Sequence, residues 1–384
     1  MNYIITNNKP FFEKIGDYNY CSLDDMVLPD VIAFDSETTS LSPRKGHMFC
    51  VQIGTGDNNY IIDFQKLGGE LTFEEVQSYL EGKTLVGHNL TFDLGWLYKH
   101  NFIPENVYDT FIASKILYNG NGRVVRHSFG FVMDRELGIE YDKSEQKNIA
   151  KTQLSNHKAI QYAFNDVDKV LELVKELGKK LKEQGSVATF KLHCRYIKAL
   201  AYMEQCGMPV ALNKWVEKIE QDKIILQEAS EEVVKYVYEN LPKFRDIQID
   251  MFDNSKRIIP MLTSQQQMIP VFEAFEIELR DADDHPDKRT LNKDVLKKSN
   301  HPFVDIWLRY KQAEHDVSTY GENILGKIDE GRIYTNFNPV LDTARISTRR
   351  GGVNVLNFPA NQRTRECFVA KEGYKELTFT KMQL

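Results

Sequence analysis

Residues 31–185 predict an α/β domain, residues 186–325 a mainly α-helical region, and residues 326–384 a shorter segment of strands and loops, with residues 1–30 as a lead-in. Three observations lead to this division. Apolar runs of strand length alternate with helix-periodic segments up to about residue 183. Strand signals then fade. Near residue 326 the composition turns basic.

The elements follow in order. Val31, Ile32, Ala33 and Phe34 form a short apolar run of buried-strand type that ends at Asp35. Residues 49–53 and 60–64 read as the next two strands, separated by the turn-rich stretch 54–59. Residues 84–88 are a fourth strand. Asn89 then reads as an N-cap for a helix over 91–100. Residues 109–118 and 157–183 are further helices; the second carries Ile160, Ala163, Val167, Val170, Leu171, Val174 and Leu177 near a 3.6 period. Helices are expected over 190–206 and 213–240. Thr263 and Ser264 with Gln266 and Gln267 suggest a capping box, and Pro302 suits the first position of a helix reaching about 326. Residues 331–337 read as a strand and 349–352 as a loop.

A chain of 384 residues holds two or three domains. Its 42% hydrophobic and 27% charged residues exclude wholesale disorder, a fibre or a coiled-coil rod. No apolar run approaches the ~18–20 residues of a membrane span, and the first residues lack a secretory pattern. The five cysteines are widely spaced, which fits neither a disulfide framework nor a CxxC metal site and suggests a reducing cytoplasm. Net charge is −6, but residues 326–384 hold ten basic and six acidic residues, net +4, leaving −10 for residues 1–325. The stretch 343–365 carries five arginines and no acid.

Three local motifs carry chemistry. Asp35 and Glu37 stand at i and i+2, so both project to one side of an extended chain where an apolar strand ends. Asp93 lies early in the helix that follows the strand at 84–88. Tyr162 and Asp166, four apart on a helix, share a face. Four converging carboxylates repel one another unless a counter-charge is present. Hard oxygen ligands favour Mg²⁺ or Mn²⁺. Two such ions would stabilise both the attacking and the leaving oxygen of a phosphoryl displacement, and the Tyr162 phenol would hold an attacking water in line. Asp63, Asp134 and Asp168 lack such a setting and read as surface or turn residues.

The order Asp-x-Glu, Asn-x-x-x-Asp (Asn89 to Asp93) and Tyr-x-x-x-Asp resembles the three motifs of the DEDDy 3′–5′ exonucleases, which have an RNase H-like, DnaQ-like fold. Asp109-Thr110 before a helix ending at Leu117, and the stretch around Gly138 and 143–147, resemble the segments between those motifs. The resemblance covers about 30–180. It implies a mixed sheet with flanking helices, with Asp35, Glu37, Asp93 and Asp166 binding two divalent ions and Tyr162 orienting water. It also implies that Thr38, Leu41, His88, Asn89 and Phe92 contact the terminal nucleotides. Phe92 and Leu41 read equally as core residues, and His88 as a satisfied strand-end histidine.

The second half resembles family A DNA polymerases. Met203-Glu204 before Gly207, Thr263-Ser264-Gln265, and 289–296 resemble the junction and thumb. Thr343-Ala344-Arg345-Ile346-Ser347 and Asn354-Val355-Leu356-Asn357 resemble the elements that line primer–template DNA, with Ala344 and Val353 departing from the usual glycine and proline. Arg345, Asn354 and Asn357 are the DNA contacts this implies. Residues 365–375 resemble the approach to the first palm carboxylate motif, but residues 376–384 do not continue it. The expectation is therefore a proofreading-type 3′–5′ exonuclease joined to a thumb and an incomplete palm, without polymerase activity of its own. Single-stranded 3′ ends and primer–template DNA are its expected partners, together with a separate polypeptide supplying palm and fingers, in the cytoplasm of a bacteriophage host. An RNA-trimming exonuclease of the same superfamily and a non-catalytic primer–template clamp are the alternatives.

Overall fold

The computed structural model describes residues 1–64, 71–119, 125–141, 144–244, 261–281, 285–341, 345–349, 352–370 and 373. The chain forms two compact units. The first is Met1–Gly207 with Tyr334–Leu356; the second is Met208–Ile333 with Asn357–Leu384.

The first unit is built on β1 (Asn2–Ile5), α1 (Lys9–Glu13), β2 (Asn19–Tyr20), β3 (Val31–Thr38), β4 (Met48–Gly54), β5 (Asn59–Asp63), α2 (Phe73–Leu80), β6 (Thr84–Gly87), α3 (Thr91–Lys99), β7 (Asn106–Asp109), α4 (Thr110–Leu117), α5 (Phe129–Leu137), α6 (Ile149–Thr152), α7 (His157–Asn165), α8 (Val170–Glu183) and α9 (Val187–Cys206). The strands form one sheet in the order β2-β1-β5-β4-β3-β6-β7. β4 runs antiparallel to β3 and β5, and the remaining pairs are parallel. This is the mixed sheet with flanking helices that the sequence predicts.

Strand periodicity sorts the side chains onto two faces. Ile32, Phe34, Val51, Ile53 and Ile62 join a core with Leu94, Ile112, Leu173, Leu177 and Ile197. Ile4, Phe49 and Ile61 face a second core with Phe12, Leu154, Ile160 and Phe164. At ~1.5–3 kcal/mol per fully buried large apolar side chain, these two layers hold the sheet in register.

Several expectations need correction. Residues 1–30 are not merely a lead-in, because β1 and β2 extend the sheet and Ile4 is fully buried. The helix expected over 157–183 is two helices: Lys169 adopts φ 61° between them, and the two halves bury their apolar faces in different places, Ile160 and Ala163 in the second core and Leu173 and Leu177 in the first. Asn89 is not the cap of α3. It sits at φ 67°, a left-handed conformation that asparagine tolerates, and Leu90 precedes the helix. The unit boundary falls at Gly207 rather than near 185, because Phe190, Cys194 and Ile197 of α9 belong to the core of the first unit. Residues 334–356 also return to that unit, where Val340 is buried.

In the second unit α10 (Leu212–Asn240), α11 (Gln265–Ala274), α12 (Lys293–Leu296) and α13 (Pro302–Tyr320) enclose Val233, Val237, Met268, Phe272, Leu296, Phe303 and Trp307. Pro302 is the first residue of α13, as expected, but that helix ends before Gly321 and a short helix, Glu322–Leu325, follows. Ser264 precedes α11 without a side-chain cap bond; Gln267 instead accepts the Met261 N–H at 2.7 Å. The strand expected over 331–337 is two separate ladders. Arg332–Ile333 pairs with Ile328–Asp329 and Met208–Pro209, and Phe337–Asn338 pairs with Ser347–Thr348. A buried charge network joins Lys218, Asp222 and Arg363; Lys218 and Asp222 are 2% and 3% exposed. The expected motif residues Lys143, Thr343, Ala344, Arg350 and Gly351 lie outside the described residues, as do 371–372 and 374–384.

Candidate active site

The site forms where β3 pairs with β4. β3 does not stop at Asp35, because its ladder continues through Asp35↔Gln52 and Glu37↔Cys50 to Thr38, with a register shift after Glu37. Asp35 and Glu37 therefore sit on the strand itself, on one face, and the bulge re-aims its end. Asp166 caps the C-terminus of α7 in helical conformation, so the i, i+4 relation to Tyr162 survives. A carboxylate there faces the negative end of the helix dipole, which adds to the need for a cation.

Oxygens of Asp35, Glu37 and Asp166 all lie within 4.8 Å of one another. Asp93 stands beside them in the same cavity of about 840 Å³. It is not one of that close group: its Oδ1 accepts the Ser36 hydroxyl at 2.6 Å and the Ser36 N–H at 3.0 Å. Burial, then repulsion from Asp93 and Asp166, pushes the Asp35 carboxyl well above the usual range, and burial with Asp166 and Asp93 does the same to Glu37. Burial lifts Asp93 to about 7 against the Ser36 bonds, which pull it down. Burial and the neighbouring carboxylates also raise the Tyr162 phenol. This is a hard, all-oxygen donor set carrying more negative charge than an isolated pocket tolerates, and its chemistry fits divalent Mg²⁺ or Mn²⁺.

Thr38, Leu41, His88, Asn89 and Phe92 all line the cavity. Leu41 is 88% exposed at its rim, so it is not core. Thr38 is buried, and its hydroxyl donates to the Ser40 carbonyl at 2.9 Å. Both ring nitrogens of His88 have protein partners, Thr110 Oγ1 at 2.9 Å and the His127 carbonyl at 3.0 Å, which matches a satisfied strand-end histidine. Arg345 and Asn354 are exposed in the first unit and Asn357 in the second; none of the three lines this cavity. Asp134 is exposed, as expected. Asp63 is buried at the end of β5 and accepts the Thr6 hydroxyl at 2.9 Å, so it is not a surface residue.

The sequence left three contributors unmarked. The Tyr141 hydroxyl donates to Asp166 Oδ1, and its ring lies 6.3 Å from that of Tyr162. Asp109, fully buried, accepts the N–H groups of Asn89 and Leu90 at 2.9 Å each and that of Phe111 at 2.8 Å. It thereby ties the loop before α3 to the start of α4, despite burial that lifts its carboxyl to about 6. Its place at the start of a helix, read only as a family likeness, was the available signal. Arg349, from far along the chain, also lines the cavity.

Residues 13–182 match the family model of the 3′–5′ exonuclease domain of DNA polymerase A. This segment is a 3′–5′ exonuclease domain of the family A polymerase type. The DNA polymerase I of Aquifex aeolicus (strain VF5) is a relative, 29% identical over 203 residues, covering 48% of this chain and 33% of that protein. The DNA polymerase of Escherichia phage T5 is 22% identical over 415 residues, covering 98% of this chain and 47% of the relative. The chain thus spans about half or less of the length of these relatives. In fold it is similar to the POL domain of Pol1 from M. smegmatis, solved in complex with DNA primer-template and dNTP, at TM-score 0.64 and 20% identity, covering 90% of this chain and 55% of that one. Beyond the exonuclease domain, then, the chain also has a polymerase-like fold.

Proposed function

We propose that the exonuclease domain hydrolyses the 3′-terminal phosphodiester of single-stranded or frayed DNA and releases nucleoside monophosphates. The observation that carries this reading is the convergence of Asp35, Glu37 and Asp166 within 4.8 Å, beside Asp93 and Tyr162, in one cavity of that domain. Asp35, Glu37, Asp93 and Asp166 would hold two divalent ions, Mg²⁺ or Mn²⁺. Bound there, the ions would lower the pKa of the attacking water and stabilise the leaving 3′ oxygen.

The chain's own residues do the rest. Ser36 fixes the rotation of the Asp93 carboxylate. The Tyr162 hydroxyl orients the attacking water, and the raised phenol stays protonated so that it can donate. Asp109 holds the Asn89–Leu90 backbone in place, which sets His88, Asn89 and Phe92 along the wall that receives the terminal nucleotides. Leu41 at the rim supplies an apolar surface against a base.

Within a complete family A polymerase, this activity would proofread during DNA replication in the cytoplasm. Arg345, Asn354 and Asn357 would meet primer–template DNA. Among the described residues, no helix is long and apolar enough to cross a membrane. Incubation with Mg²⁺ and a 5′-labelled single strand tests the nuclease reading. A ladder shortening from the 3′ end is expected, and the paired substitutions Asp35→Ala and Glu37→Ala should abolish it. A double variant that digests as fast as the parent refutes the assignment.

A further inference from the structure

The nuclease cavity takes part of its wall from a segment some 260 residues downstream of Asn89. Phe337–Asn338 and Ser347–Thr348 form a two-residue antiparallel ladder, and Arg349 follows directly. Its Nε donates to the Phe337 carbonyl at 2.9 Å and its Nη2 to Asn89 Oδ1 at 3.1 Å. Both partners belong to the first unit, as does Glu204 on α9, whose Oε1 accepts the Phe337 N–H at 2.5 Å and which interacts electrostatically with Arg349.

Among the described residues that line this cavity, Arg349 is the only arginine or lysine. The same lining holds Asp35, Glu37, Asp93 and Asp166. A cavity so acidic repels a polyanion unless cations sit where the backbone enters. A guanidinium offers five N–H donors in a planar fork suited to phosphate oxygens. The two bonds to Phe337 and Asn89 aim that fork at the cavity and leave three donors.

We propose that Arg349 is a phosphate-binding residue of the nuclease site, contacting the backbone of the single strand whose 3′ end lies among the carboxylates. This rests on the exonuclease reading above. It makes the ladder of Phe337–Asn338 with Ser347–Thr348 part of that site, although the sequence places this region with the primer–template elements. A purely structural role, bracing the ladder against the Asn89 loop, would affect folding and leave the electrostatics of binding unchanged.

The test uses the full chain and the variants Arg349→Ala and Arg349→Lys. Affinity for a fluorescent four-nucleotide DNA strand is measured in EDTA between 50 and 200 mM salt, and kcat and KM are measured with Mg²⁺. Arg349→Ala should raise KM roughly tenfold with kcat within about threefold, and its log affinity against log salt slope should flatten by about 0.7, the loss of one phosphate contact on a single strand. Arg349→Lys should restore the slope. A wild-type slope in Arg349→Ala overturns the proposal, as does a raised KM with no change of slope. If Arg349→Ala does not fold, Arg349→Lys with a lowered slope overturns it equally. A wild-type chain that binds with the full slope but never shortens the strand refutes the exonuclease reading and leaves the arginine assignment standing.

Discussion

Ser36→Ala isolates one contact in the carboxylate cluster. Ser36 is 4% exposed, and its hydroxyl meets Asp93 Oδ1 at 2.6 Å while its N–H meets the same oxygen at 3.0 Å. A hydrogen bond to a charged group contributes about 1.5–3 kcal/mol, and the retained N–H favours the lower value. At 1.36 kcal/mol per unit, that is roughly one pKa unit. The hydroxyl pulls the Asp93 carboxyl down, so its removal lifts the carboxyl from about 7 toward ~8. At pH 7 the ionised fraction then falls from about a half to about a tenth, and because a divalent cation needs the carboxylate, half-saturating Mg²⁺ should rise roughly fivefold. At pH 9 both forms are mostly ionised, and the difference should close to near parity. The assay is cleavage rate against Mg²⁺ concentration at pH 7 and pH 9. Equal half-saturation at pH 7 refutes the reasoning. A fivefold gap that persists at pH 9 does so too, because it would mean lost orientation rather than proton competition.

Three further outcomes follow from the same structure. Asp109→Ala removes three short backbone bonds from a fully buried acceptor; urea unfolding should show a loss of about 3 kcal/mol, with nuclease activity falling alongside as the Asn89–Leu90 loop is released. Asp35, Glu37 and Asp93 hold their protons to higher pH when folded than when unfolded, so the metal-free protein loses stability as pH rises above about 4, with the Asp93 share lost through about 7. The gain in Tm on adding Mn²⁺ should therefore be small at pH 5 and larger at pH 8, and a gain that shrinks with pH would contradict this. In the second unit, Asp222→Ala leaves the buried Lys218 ammonium without its carboxylate, and urea unfolding should show a loss of about 3–5 kcal/mol, mostly recovered when Lys218→Met is added.

The candidate carboxylate constellation was legible because its spacing is local. Asp35 and Glu37 differ by one strand repeat, Tyr162 and Asp166 by one helical turn, and apolar runs frame each pair. The central strands were legible for the same reason, since runs such as 49–53 are buried on both faces. What escaped was non-local or depended on a single backbone angle. Tyr-Ile-Ile at 3–5 is too short to announce a strand and forms one because β5 offers a partner edge. The asparagine signal at 89 fits an N-cap and a left-handed residue equally, and the Asp109 carboxylate bonding the Asn89 and Leu90 N–H groups goes with the second. The break before Lys169 carries no glycine or proline. Arg349 meets Asn89 across 260 positions, which no window of sequence can show.

The central claim is that these carboxylates remove nucleotides one at a time from a 3′ end. A single strand labelled on its 3′-terminal nucleotide, mixed with excess enzyme and Mg²⁺, tests it most directly. The account predicts labelled nucleoside monophosphate as the first product, appearing in one phase, absent in EDTA and absent with Asp35→Ala and Glu37→Ala together. Label that stays in longer fragments, or monophosphate that appears at the same rate from the double variant, would contradict it.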